Sequence, residues 1–156
     1  MNLRSQHFGL ALVFAATALS LPVLADDKTA HEDQLMIAAQ KICPVSGEVL
    51  GGMGPPVKTK IGDQTVFLCC KACVGKQGSK ENWQKMTANL IEAQATCAVL
   101  GKPLPKDAAS VVVNNRQIFV CCKQCLAKIQ ADPAKYIALV DTQIEKNLKD
   151  QPEKKL

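Results

Sequence analysis

A Cys-Cys-Lys-x-Cys cluster occurs twice in the chain, at residues 69–73 and 121–125, and it restricts the possible folds more than any other feature. One further cysteine precedes each cluster, and the two sets of four contain all 8 cysteines of the chain. The first set is Cys43, Cys69, Cys70 and Cys73, and the second set is Cys97, Cys121, Cys122 and Cys125. Because the sets are offset by about 50 residues, the sequence predicts two tandem copies of one small module.

A module of this length is hard to stabilise by itself. About 50 residues bury too little apolar surface, so such units usually need a metal ion, disulfides or a partner. Trp83 is the only tryptophan and Tyr136 the only tyrosine, so no large aromatic core compensates. The four thiols of each copy therefore supply either the metal ligands or the covalent bridges that the module needs.

Residues 1–25 have the pattern of a secretory signal. Basic residues near the start precede an apolar run at residues 8–21, and Ala25 completes a small-residue cleavage pattern. We expect cleavage after Ala25. An uncleaved membrane anchor is the alternative, which the short run and Pro22 disfavour. The sequence thus predicts a periplasmic or secreted protein with no stable membrane insertion after cleavage.

The charge of the chain gives no sign of a nucleic-acid partner. The formal net charge is +5, from 19 basic and 14 acidic residues, and the lysines are scattered rather than gathered into one patch. Aromatic residues make up only 4% of the chain, so aromatic side chains for base stacking are almost absent. A mildly basic, solvated surface is sufficient to explain this composition.

The first copy has the pattern of a helix, a turn, a β-hairpin and a second helix. Thr29-Ala30-His31-Glu32 has the form of a capping box and predicts a helix over residues 30–42. Gly62-Asp63 separates two runs of strand-forming residues and predicts a hairpin. The other predicted elements are a tight turn at 43–47, strands at 57–61 and 64–69, a short helix at 71–77, and a helix from 80 to about 96 with Ser79 as its N-cap.

The second copy repeats this plan. The helix that closes the first copy leads into Cys97, so we expect one shared helix to join the two copies rigidly. Asn114-Asn115 predicts a hairpin turn, and Asp132-Pro133 predicts a helix start. The predicted elements are strands at 110–113 and 116–121, a short helix to about residue 130, and a final helix after 133.

The predicted fold class is α+β, with two tandem ββα modules of the zinc-ribbon or treble-clef type joined by the shared helix. One cysteine, a hairpin and then cysteines at a helix start is how small thiolate sites are built, because ligands from two turns close a tetrahedron. The predicted boundaries are a signal peptide at 1–25, an N-terminal helix at 26–42, a first cysteine module at 43–93, a second at 94–148 and a tail at 149–156.

All eight cysteines are candidate metal ligands, but strand geometry limits how they can combine. Adjacent residues on a regular strand point to opposite faces, so Cys69 and Cys70 can share an ion only where the strand ends. A three-thiolate site of Cys43, Cys69 and Cys73, with Cys70 as a spare or fourth ligand, satisfies this limit. The start of the helix after each cluster also favours anionic sulfur.

At these residues the sequence resembles the TRASH and YHS group of small heavy-metal-binding domains. The family pattern is a leading cysteine, a hairpin, and an aromatic-containing strand that ends in Cys-x-x-x-Cys at a helix. The positions that match it are Cys43, Phe67, Cys69 and Cys73 in the first copy, and Cys97, Phe119, Cys121, Cys125 and the segment 130–136 in the second. The Tyr-His-Ser signature is absent, and Cys70 and Cys122 are additional to the pattern.

The resemblance implies binding, sensing or delivery of a soft or borderline metal, zinc or copper, and it does not imply catalysis. We expect two ions per chain, one in each copy. It also implies that the partner could be another exported or membrane metal-handling protein. The alternative is a disulfide-stapled interaction module without metal, since exported proteins meet oxidising conditions and four cysteines allow three pairings. A thiol-disulfide oxidoreductase using Cys70-x-x-Cys73 is a third hypothesis, but no βαβ pattern surrounds it. We expect no enzyme activity.

Overall fold

The computed structural model describes residues 25–150, in which four α-helices and one 3-10 helix accompany two antiparallel hairpins. The elements are α1 Ala25–Gln40, β1 Val57–Ile61, β2 Gln64–Leu68, a 3-10 helix Lys71–Cys73, α2 Lys80–Gln94, β3 Ala109–Val113, β4 Arg116–Val120, α3 Gln124–Ala131 and α4 Pro133–Asp150. The prediction of a mixed α and β chain with two small hairpins is confirmed. The predicted signal segment before Ala25 and the tail after Asp150 lie outside the described residues.

The two hairpins are equivalent in register. Val57 pairs with Leu68 in the first, and Ala109 pairs with Val120 in the second. Asn114 and Asn115 turn the second hairpin with φ of 48° and 62°, the left-handed values that a two-residue turn of this kind requires and that asparagine tolerates. Each returning strand ends one residue before its cysteine cluster, so the cysteines lie just outside the regular sheet.

The start predicted for the first helix is wrong. α1 begins at Ala25 rather than near residue 30, so the capping-box residues lie inside it. Glu32 pairs with Lys28 one turn earlier, at 3.9 Å, an i,i+4 contact of a continuing helix. Ser79, by contrast, is the predicted N-cap of α2, and its Oγ accepts a hydrogen bond from the Asn82 amide at 3.1 Å.

Both helices that lead into a cysteine also end earlier than predicted. α1 ends at Gln40 and α2 at Gln94, because Lys41 and Ala95 have φ of 63° and 57°. A left-handed residue stops the helical hydrogen bonding and redirects the chain. Neither position is a glycine or an asparagine, so the sequence carries no ordinary signal for this stop.

The helix predicted at residues 71–77 is also wrong in length. Only Lys71–Cys73 is helical, as a 3-10 turn, and Gly75 has φ of 76°. The equivalent segment of the second copy has no glycine between Gln124 and Ala131 and forms the full helix α3. Packing also requires a glycine at position 78, since a Cβ there would lie 2.0 Å from the Pro44 carbonyl oxygen.

The two copies share one hydrophobic core. α1, α2 and α4 contact one another, and β2 contacts β4. The Thr65 amide donates a hydrogen bond to the Asn115 carbonyl at 2.7 Å and links the hairpins. Phe67 and Phe119 lie in the same buried cluster as Met86 of α2. The helix α2 contacts both α1 and α4.

A buried glutamine joins each helix end to its hairpin. Gln94 is 1% exposed, and its side-chain amide donates to the carbonyls of Phe119 at 2.7 Å and Thr96 at 3.0 Å, while its oxygen accepts from the Phe119 amide at 3.0 Å. Gln40 makes the same three bonds, to Phe67 and Ile42. These bonds fix the strand that carries the cysteine cluster against the helix that carries the leading cysteine.

Replacing Gln94 by methionine should lower the free energy of unfolding by about 3 kcal/mol, because two buried backbone groups of Phe119 and the half-buried Thr96 carbonyl lose their partners. Urea unfolding of the variant and the parent measures this difference. Gln84→Met is the matched control, since Gln84 is exposed on the same helix, and it should change the free energy by less than about 0.5 kcal/mol. If both substitutions lowered the free energy of unfolding equally, the role of Gln94 in fixing the strand against the helix would be contradicted.

No helix within residues 25–150 combines the length and the apolar character needed to cross a bilayer.

Candidate metal centres

The leading cysteine of the first site lies in a tight turn after α1. Cys43 donates its amide to the Glu48 carbonyl at 2.8 Å, and its carbonyl accepts from the Gly47 amide at 2.8 Å. The left-handed Lys41 brings the chain out of the helix two residues earlier. The side chain of Cys43 is 0% exposed. The turn predicted at residues 43–47 is therefore present and holds this sulfur inside the protein.

The other two sulfurs of the first site come from the cluster. Cys69 follows the end of β2, and Cys73 closes the 3-10 turn, with its amide donating to the Cys70 carbonyl at 3.2 Å. The Sγ atoms of Cys43, Cys69 and Cys73 all lie within 4.8 Å of one another, and Cys69 and Cys73 are 3.8 Å apart. All three residues are buried.

This spacing fits sulfurs that share one ion. A metal–sulfur bond of about 2.3 Å places two sulfurs about 3.8 Å apart in a tetrahedral site and about 4.0 Å apart in a trigonal one. A disulfide requires about 2.05 Å. All eight cysteines lie in the described part of the chain, and each is a free thiol there. The geometry thus matches ligation rather than bridging.

Cys70 occupies a different place from the other three. Its Sγ lies 3.9 Å from both Cys69 Sγ and Cys73 Sγ, as close as those two lie to each other, but it does not belong to the group that Cys43 completes. It is half-buried, whereas the three are buried. Cys70 is therefore a neighbouring thiol at the edge of the triad.

The second site repeats the first. The Sγ atoms of Cys97, Cys121 and Cys125 lie within 4.8 Å of one another. Cys97 sits in the same turn, with its amide donating to the Lys102 carbonyl at 2.8 Å. Cys122 is again half-buried, and its Sγ lies 3.5 Å from Cys125 Sγ, but here the triad member Cys121 is half-buried as well. Six of the eight predicted cysteines thus form two triads, each with one thiol beside it.

Burial sets the protonation of the deepest thiols. In Cys73, burial first, and then hydrogen bonds with the thiols of Cys69 and Cys43, raise the pKa to about 12. In Cys125 the pKa is raised to about 12 by burial and by the thiols of Cys122 and Cys97. These two thiols are protonated at neutral pH in the metal-free protein, so a metal ion has to displace their protons when it binds.

The leading thiols behave in the opposite way. Burial raises the pKa of Cys43, but hydrogen bonds with the backbone of Ser46 and Cys69 outweigh this effect and lower the pKa to about 7. Burial likewise raises the pKa of Cys97, but hydrogen bonds with the backbone of Cys121 outweigh this effect. The pKa of Cys97 is therefore also lowered. Each triad therefore contains one thiol that is readily ionised, which is the form that binds metal.

Ser46 is a site residue that sequence reasoning did not assign. Its Oγ accepts a hydrogen bond from the Glu48 amide at 3.2 Å and lies 3.3 Å from Cys69 Sγ, so its proton is free to point at the sulfur. The equivalent residue of the second copy is Leu100, which is 48% exposed. The two sites therefore differ in one polar contact. The sequence signal that could have indicated this contact is a serine three residues after a cysteine in a predicted tight turn.

Comparison with family models, curated proteins and solved structures found no match. The two cysteine triads are compatible with a TRASH-like domain. The resemblance to that group therefore rests on the residues that carry it and on the positions of the sulfurs.

Proposed function

We propose that the chain is an exported metal-binding protein that holds one soft or borderline metal ion in each of its two thiolate triads. The observation that carries this proposal is the mutual approach of three cysteine sulfurs within 4.8 Å at two equivalent places. Two copies of the same sulfur arrangement are explained by one shared chemistry. Binding, sensing and delivery of the ion are the uses that such a protein could serve.

The donor set favours zinc or copper. The ligand groups that come together at both sites within residues 25–150 are thiols, and thiolates prefer Cu(I) and Zn²⁺ over hard cations such as Mg²⁺ or Ca²⁺. Three thiolates suffice for a trigonal Cu(I) site. Zn²⁺ takes four ligands in a closed structural site, so a triad of thiolates leaves one of its positions open.

The remaining parts of the proposal rest on the sequence. The TRASH-like, treble-clef-like character of each module is supported by the order of cysteine, hairpin and cysteine cluster. The periplasmic or secreted location is supported by the pattern of residues 1–25. We propose no enzyme activity, because the sequence of the mature chain offers no acid-base or nucleophile-base grouping besides the thiols.

Metal content and free thiols, measured together on protein from the exported fraction purified without chelator or reductant, test the proposal. We expect about two metal ions per chain, with thiols that react only after the metal is removed. The identity of the ion follows from mass spectrometry. Absence of metal together with absence of free thiols would instead identify a disulfide-stapled module.

A further inference from the structure

Each triad has one half-buried thiol beside it, and in the second triad Cys121 is half-buried as well. Cys70 Sγ lies 3.9 Å from two sulfurs of the first triad, and Cys122 Sγ lies 3.5 Å from Cys125 of the second. The leading cysteines Cys43 and Cys97, in contrast, are 0% exposed. An ion that reaches either triad from solvent therefore has a partly accessible sulfur beside its path.

The position of these thiols is set by the fold. Each edge cysteine is the second residue after a strand, where the alternation of side chains has ended, and it precedes the turn or helix that carries the last triad cysteine. Lys71 and Lys123, the next residues along the chain, are both exposed. An exposed lysine therefore follows each edge thiol in the chain.

We propose that Cys70 and Cys122 are exchange ligands, which take a soft metal ion from an anionic thiol-bearing donor and pass it to the buried triad. This inference rests on the proposed metal-binding function. The donor is a thiol because only a ligand of similar softness competes for such an ion and can be displaced in turn. The adjacent lysines favour a donor with negative charge by steering its approach.

The exchange is a ligand substitution without redox change. The edge thiol loses its proton and forms a bond to the ion while the bond between the ion and the donor sulfur breaks. The departing donor thiolate takes up a proton. In the first site the ion then reaches Cys69 and Cys73, whose sulfurs are each 3.9 Å from that of Cys70, and their protons pass to solvent.

Loading of the metal-free, reduced protein with Cd²⁺ tests this role, because the thiolate-to-metal charge-transfer absorbance reports binding in real time. Cd²⁺ is supplied as its glutathione complex, as the complex of an acidic Cys-x-x-Cys peptide, or as the free aqua ion. The variants are C70S/C122S and the control A72S, an exposed residue of the same turn. The faster thiol donor indicates whether a small thiol or a protein cysteine pair is the better source.

We expect C70S/C122S to load from both thiol donors at least about tenfold more slowly than the parent, a barrier increase of about 1.4 kcal/mol. Its final metal content and its loading from free Cd²⁺ should match those of the parent, as should every property of A72S. Unchanged loading from the thiol donors would overturn the exchange role. Loss of metal content in C70S/C122S would overturn it too, since the edge thiols would then be permanent ligands.

The same experiment separates this inference from the proposed function. If the parent protein binds no Cd²⁺ from any donor, metal binding itself fails and the exchange role falls with it. If the parent loads fully and only the rate difference is missing, the metal sites stand and the exchange role alone is wrong.

Discussion

Replacing Cys73 by serine should reduce the metal content of the chain from about two ions to about one, because two thiolates do not retain a soft ion against water. Cys73 is buried and its Sγ lies 3.8 Å from that of Cys69, whereas the nearest remaining thiol, Cys70, is half-buried and lies outside the triad. The measurement is the metal-to-protein ratio after dialysis, with the secondary structure of the variant checked by circular dichroism.

Two further variants control this result. Cys125→Ser should cause the same loss in the second site, and the double variant should bind no ion. Cys70→Ser should retain nearly the full content, because its sulfur stands outside the triad. If Cys70→Ser loses as much metal as Cys73→Ser, the first site has four essential thiolates and the triad assignment is wrong.

Removal of the metal should lower the melting temperature of the wild-type protein by on the order of 10 °C or more. An ion present at a hundredfold excess over its dissociation constant adds about 2.7 kcal/mol per site, and a domain of this size shifts by a few degrees per kcal/mol. Differential scanning calorimetry with and without a strong chelator, under reducing conditions, measures the difference.

The Cys73→Ser, Cys125→Ser double variant is the matched control for the chelator. It should melt at the same temperature with and without the chelator, because it has no complete site to empty. A wild-type protein whose melting temperature does not respond to chelator would show that the thiols contribute nothing to stability through metal. Restoration of the higher temperature by added Zn²⁺ or Cu(I) would identify which ion fits.

We expect the shared core to couple the stabilities of the two copies. α2 packs against α1 on one side and α4 on the other, and it ends at the turn that holds Cys97. Loosening the first site therefore disturbs the support of the second. This coupling follows from the packing and is independent of which metal binds.

The elements that depend on interactions between neighbouring residues could be predicted from the local sequence pattern. The hairpins were predicted correctly to within one residue because a two-residue turn between runs of β-branched and aromatic residues is sufficient to form one. Ser79 was predicted correctly as a cap because its hydroxyl bonds to an amide only three residues away. The predicted start of α1 was wrong, because a sequence with the form of a capping box can lie inside a longer helix as well as at a helix start.

The tertiary structure decided what depends on contacts between distant residues. Gln40 and Gln94 are ordinary polar residues in the sequence. Only their burial against Phe67 and Phe119 lets their hydrogen bonds join each helix end to its hairpin. Likewise, only the fold brings the Ser46 hydroxyl to the Cys69 sulfur.

By itself, the sequence determined that the chain has two copies of one thiol-rich unit, because the spacing of cysteines, turns and strands is repeated. Beside the predicted triad of Cys43, Cys69 and Cys73, the sequence left Cys70 as either a spare thiol or a fourth ligand, and the tertiary structure decided that the triad is buried and that Cys70 is half-buried beside it. That choice depends on left-handed turns at Lys41 and Ala95 and on the end of each strand. Side-chain direction at such points is fixed by packing across the whole core, which no local pattern encodes.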